Sequence, residues 1–155
     1  MAAAFLDTEL KVLLKKRLVE DKTVTSKLFE TNAPLGTFSS RIDMAYLLGL
    51  IGKKAHRDLH LIRKIRNEFG HNPNKVLFTE QSISSMCKEF YHDAFDKHLP
   101  PRNKFTRVVT GILAVIHTGI VMSKPIPKRD DIIINDAVKK EFKAIAEKFV
   151  EEMLH

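Results

Sequence analysis

Leu6, Leu10, Leu13, Leu14 and Leu18 recur every three or four residues, and that spacing of apolar side chains returns along almost the whole chain. A period near 3.6 gathers side chains on one face of a helix, whereas a half-buried strand requires strict alternation. No alternating run of useful length exists: Ile132-Ile133-Ile134 is the single candidate and is too short to build a sheet. The chain is therefore expected to be all-α, one helical domain over residues 1–155 with about six to seven helices.

The first helix is expected over about Ala3–Val19. A short second one around Ser26–Glu30 buries Leu28 and Phe29, and Pro34 and Gly36 interrupt the pattern after it. Thr37 or Ser39 is placed to cap a third helix through Leu50, with Ile42, Tyr46 and Gly49 on one face. Gly52 lets the chain turn into a fourth, from Lys53 to about Phe69. It points Ala55, Leu59, Ile62, Ile65 and Phe69 inward and stops at Gly70, with Pro73 beyond. Ile83, Met86, Cys87, Phe90, Ala94 and Phe95 form the stripe of a fifth, closed by Leu99-Pro100-Pro101. The sixth, about Lys104 to Met122, is apolar nearly all round and is expected to be the buried central helix. Its apolar run, Val108–Met122, is too short to cross a bilayer. After a connection bearing Pro125 and Pro127, a last helix over about Asn135–Leu154 is expected to bury Val138, Phe142, Ile145 and Phe149.

Composition excludes several classes. A chain of 155 residues buries a core without covalent staples, and 44% apolar against 29% charged residues argues against disorder. The lone cysteine, Cys87, rules out an intramolecular disulfide and a cysteine-based zinc site, which suits a reducing cytoplasm. Its place on an apolar stripe makes it a core residue. The N-terminus lacks the charged start and long apolar stretch of a signal peptide, and no membrane contact is expected. No glycine-rich phosphate loop and no serine or cysteine nucleophile motif is present, and no cofactor is expected. His56 and His60 are four apart, but no carboxylate pattern accompanies them, so no metal site is expected. The 26 Lys and Arg exceed the 19 Asp and Glu, leaving a formal charge of +7 that attracts polyanions in a salt-sensitive way.

The residues that carry chemistry cluster around the fourth helix. Ile62, Arg66 and Phe69 share a face by spacing, which places Arg66 among inward-pointing positions, where a guanidinium needs an anion. One reading is architecture, with Arg66 paired to Asp43 or Glu68 and His71 closing the helix end. The other is phosphoryl chemistry on RNA, with His71 as general acid or base, Arg66 neutralising the phosphate and Asn67 beside them. Residues five apart diverge by about 140° on an ideal helix, so Arg66 and His71 converge only where the helix unwinds or a second copy faces them. Arg41 follows a Pro34–Gly36 turn at a helix start, where backbone donors favour anions; a capping turn with a surface arginine is the plainer alternative. Lys53, Lys54, Arg57, Arg63 and Lys64 add a basic surface suited to an anion or nucleic acid. A DNA-reading helix-turn-helix is disfavoured, because Asp58 stands where such a recognition helix carries an apolar packing residue.

Three segments carry a family resemblance: Asn32-Ala33-Pro34-Leu35-Gly36-Thr37-Phe38-Ser39-Ser40-Arg41-Ile42, then Tyr46-Leu47-Leu48-Gly49-Leu50-Ile51, then Asp58-Leu59 through Ile65-Arg66-Asn67-Glu68-Phe69-Gly70-His71. Together they resemble the signature of the bacterial mannitol operon repressor family. A weaker likeness continues through Cys87 and Pro101-Arg102-Asn103-Lys104-Phe105. The resemblance implies a compact, cytoplasmic, all-helical regulator of transcription. Arg66-Asn67, with His71 four residues after Asn67, is also similar to the Arg–His motif of HEPN domains, helical and often dimeric proteins. That similarity implies a metal-independent ribonuclease using the RNA 2′-hydroxyl as nucleophile, with Arg66 and His71 as the catalytic pair. The resulting expectations are a regulator acting through protein or nucleic-acid contacts, a HEPN-like ribonuclease of a toxin or defence system, or a helical module that forms homo-oligomers.

Overall fold

The computed structural model describes residues 2–71, 77–91, 98–131 and 133–154, the side chain of His71 excepted. The expectations for Pro73, Ala94, Phe95 and Ile132 lie outside those residues. Among them the chain forms seven helices and no strand: α1 (Ala2–Arg17), α2 (Lys22–Leu28), α3 (Phe38–Leu47), α4 (Lys53–His71), α5 (Gln81–Lys88), α6 (Pro101–Met122) and α7 (Asp136–Met153). The all-α expectation holds.

The core is built on α1, whose leucine repeat buries Leu6, Leu10, Leu13 and Leu14 completely. This helix packs against α6, α3 and α4, while α5 closes the far side against α4 and α6. Each fully buried leucine removes apolar surface worth about 1.5–3 kcal/mol from water, so α1 anchors the bundle. The central place expected for α6 belongs to α1.

Only one stripe of α6 is buried, through Val108, Val109, Ile112 and Ile116, whereas Thr110, Gly111, Ala114, Val115, Thr118 and Val121 face outward. Because α6 begins at Pro101 rather than Lys104, its 22 residues are long and apolar enough, by length and composition alone, to cross a membrane. The shorter run read from the sequence missed this.

Local chemistry sets the helix ends. Asp21 caps α2, which forms earlier than expected, and Phe29 just beyond it is buried. Thr37 caps α3 in a reciprocal box with Ser40: Ser40 N–H donates to Thr37 Oγ1 at 3.1 Å and Thr37 N–H to Ser40 Oγ at 3.3 Å. Helix α3 ends at Leu47 rather than Leu50, because Gly49 turns left-handed at φ 68°. Leu50 N–H donates to Ala45 O and Gly49 N–H to Tyr46 O, both at 2.9 Å, the double closure that a glycine in this position permits.

Helix α7 departs most from expectation. Asn135 caps it as its sequence suggests, yet Phe142, Ile145 and Phe149 are more than half exposed and Val138 is only partly covered. The amphipathic period is present, but no described element of the chain lies against that face.

Candidate anion- and partner-binding surface

The basic residues singled out in the sequence go to three places. Arg41 goes inward. Its Nη1 donates to Asp7 Oδ1 at 2.6 Å, Nε to Leu35 O at 2.9 Å and Nη2 to Gly36 O at 3.0 Å. The surface arginine expected there is a buried tether that ties the 35–36 turn to α1. The turn itself is close-packed: the carbonyls of Glu30 and Thr31 occupy the space a Cβ on Gly36 would need. A buried Arg pair does exist in this fold, but it joins Arg41 to Asp7. Asp43, one partner expected for Arg66, instead accepts from both His56 and His60.

A second group lines the outer face of α4. Lys53, Arg57, His60 and Lys64 fall on one stripe by spacing. Lys53, Lys54, Arg57 and Lys64 are exposed, and Arg63 is half-buried. Lys54 Nζ sits 3.8 Å from the centre of the Tyr91 ring, and Arg57 lies 3.6 Å from Glu89. Arg63 Nε is buried with no hydrogen-bond partner among the described residues. Asp58, on the inner side of α4, is fully buried and accepts from Tyr91 N–H at 3.0 Å.

Arg66 forms the third group. It lies toward the inner side of α4, as the spacing requires, but α4 overshoots the core and leaves the Arg66 side chain exposed. It lines a cleft of about 400 Å³ with Ala2, Ala3, Phe69, Phe78, Arg102, Phe105 and Thr106. The aromatic wall is continuous: Phe69 and Phe78 have ring centres 4.9 Å apart, and Phe78 and Phe105 5.4 Å. Among the described residues no carboxylate pairs with Arg66 or Arg102. Two guanidiniums beside an apolar wall can receive a carboxylate or phosphate together with the apolar group that carries it. Asn67 is half-buried one position on. His71 ends α4, and its side chain is outside the described residues. Arg102 was not singled out from the sequence, since only the α4–α6 packing brings it near Arg66.

The matches to known proteins fall on these elements. The family model described as mannitol repressor matches residues 1–104, from α1 to the start of α6. The chain belongs to the mannitol repressor family. Two curated mannitol operon repressors, from Escherichia coli strains K12 and O6:H1 (CFT073), are each 27% identical over 124 residues. Those 124 residues are 78% of this chain, and the chain spans 62% of the length of either relative. Among solved structures, the MtlR–HPr complex from Escherichia coli matches with a TM-score of 0.62 at 21% identity. The match covers 74% of this chain and 85% of the other, and it shows that the fold is shared. The Arg66 end of α4 and the Arg102 start of α6 lie inside the family match, and α7 lies beyond it.

Proposed function

We propose that this chain is a cytoplasmic bacterial regulator of the mannitol repressor type that works by docking a protein partner, with HPr the first candidate. The observation that carries the reading is the cleft where Arg66 and Arg102, with no carboxylate partner among the described residues, stand beside Phe69, Phe78 and Phe105. Family membership and the HPr complex of the solved relative support HPr as the candidate partner. An acidic side chain of that partner would lie between the guanidiniums while an apolar neighbour covers the phenylalanines. Anchors of this kind, arginine and aromatic together, dominate binding energy at protein interfaces. The basic stripe Lys53–Lys64 lies on the outer face of α4, away from the cleft, and adds to the general attraction of the chain for an acidic partner or nucleic acid.

Self-association belongs to the same reading. Val138, Phe142, Ile145 and Phe149 follow the i, i+4, i+7, i+11 spacing of a coiled-coil seam; among the described residues Val138 is partly covered and the other three stay exposed. A second copy's α7 presents the matching seam.

Calorimetric titration of the chain with purified HPr tests the docking role. Arg66→Ala and Arg102→Ala should each weaken binding about tenfold, equivalent to about 1.4 kcal/mol, while Lys139→Ala should leave it unchanged. Equal affinity for all three variants removes the cleft from the interface. Cleavage of RNA in excess EDTA that disappears with His71→Ala would replace the regulator with the ribonuclease.

A further inference from the structure

Asp43, His56 and His60 come together at the α3–α4 corner. His56 Nε2 lies 2.8 Å and His60 Nε2 2.9 Å from the same oxygen, Asp43 Oδ1. All three groups offer one ligand atom, and these atoms lie within 4.8 Å of one another. The two imidazoles stand one turn apart on α4 with ring centres 4.7 Å apart and edge to face, and the Tyr46 ring centre lies 4.7 Å from that of His56. The histidines are about three-quarters covered, whereas Asp43 is half exposed, so the cluster opens to solvent on one side.

We propose that Asp43, His56 and His60 form a binding site for a zinc ion, with one coordination position open. Two imidazole nitrogens and a carboxylate oxygen are the donor set of open zinc sites, and hard cations such as magnesium or calcium disfavour imidazole. Ligand atoms about 2.0–2.2 Å from a tetrahedral ion stand roughly 3.4 Å apart. The two nitrogen–oxygen separations must widen by about half an ångström from their present values, which small side-chain rotations supply. The absence of a carboxylate pattern around His56 and His60 argued against any metal site, because the third donor sits thirteen residues before His56 on another helix. The α3–α4 packing provides it. His56 and His60 also border a cleft of about 300 Å³ with Arg57, Leu61, Lys64 and Glu89. Arg57 and Lys64 there favour an anionic group, such as a carboxylate of a bound protein, as the fourth ligand. The ion would clamp α3 to α4 across the Gly49 turn.

The test uses the full chain freed of metal with EDTA and then dialysed, titrated with zinc chloride against a chromophoric chelator. One zinc per chain should bind, with cobalt substitution giving the visible bands of a four-coordinate ion. Asp43→Asn should weaken zinc at least tenfold, and His56→Ala or His60→Ala should abolish the site. His117→Ala, which alters a histidine 3.1 Å from Glu9 on another face, should change nothing. Should an alanine variant fold poorly, His60→Gln preserves the packing and must still lose the cobalt bands. Unchanged zinc affinity in Asp43→Asn and His60→Gln, or no binding below millimolar zinc, overturns the proposal.

Discussion

The Arg41 guanidinium donates to Asp7 and to the carbonyls of Leu35 and Gly36, so truncating it strands a partly buried carboxylate and two backbone acceptors. Arg41→Ala should therefore destabilise the chain by about 3 kcal/mol in urea unfolding. Arg41→Lys should recover only part of that loss, because one ammonium cannot reproduce the three-way fork. Arg66→Ala removes an exposed side chain without a carboxylate partner among the described residues, and its unfolding free energy should stay within about 0.5 kcal/mol of the parent. A large loss at Arg66 with none at Arg41 would reverse the roles given to them. The Asp43 carboxyl is subject to opposing effects: burial raises its pKa, but the hydrogen bonds and positive charge of His56 and His60 prevail and hold it below its ordinary value. That acceptor is already committed to the two imidazoles, so it does not serve Arg66.

Among the elements, α1 and α4 are legible because their apolar periods are long and their burial follows them, whereas α6 is apolar nearly all round yet buries one stripe alone. Exact ends are less legible. Helix α3 was extended to Leu50 because apolar spacing continues past the residue where the backbone turns; the left-handed Gly49 stops it. Gly49→Ala should cost about 1–2 kcal/mol from strain alone, since a Cβ there meets no neighbour, and thermal unfolding of the variant checks this. Periodicity also cannot say whether a helix finds a partner. The stripe on α7 is as regular as that on α4, yet nothing in the described chain covers it. Ending the chain after Lys128 should leave the unfolding free energy of a dilute sample nearly unchanged while abolishing any concentration-dependent sedimentation. A several-kcal/mol loss in that truncation would mean that α7 packs on its own core.

At the scale of the whole molecule, the sequence showed which residues are basic but not where they converge. The basic residues that stand out in the sequence divide between a tether inside the fold, a stripe along α4 and a cleft at the bundle's end. Arg66 and Arg102, far apart in sequence, share that cleft because α4 and α6 pack together, and no spacing rule reports such a meeting. The same holds for Asp43 and its histidines. Binding of an acidic partner at this surface should weaken steeply as ionic strength rises from 0.05 to 0.3 M, with the change carried mainly by the association rate. The most direct test of the docking role is hydrogen exchange of the chain with and without HPr. Protection is predicted at Ala2–Ala3, Arg66–Phe69 and Arg102–Thr106, the borders of the cleft. Protection confined to other elements, with those three segments exchanging as in the free chain, would contradict it.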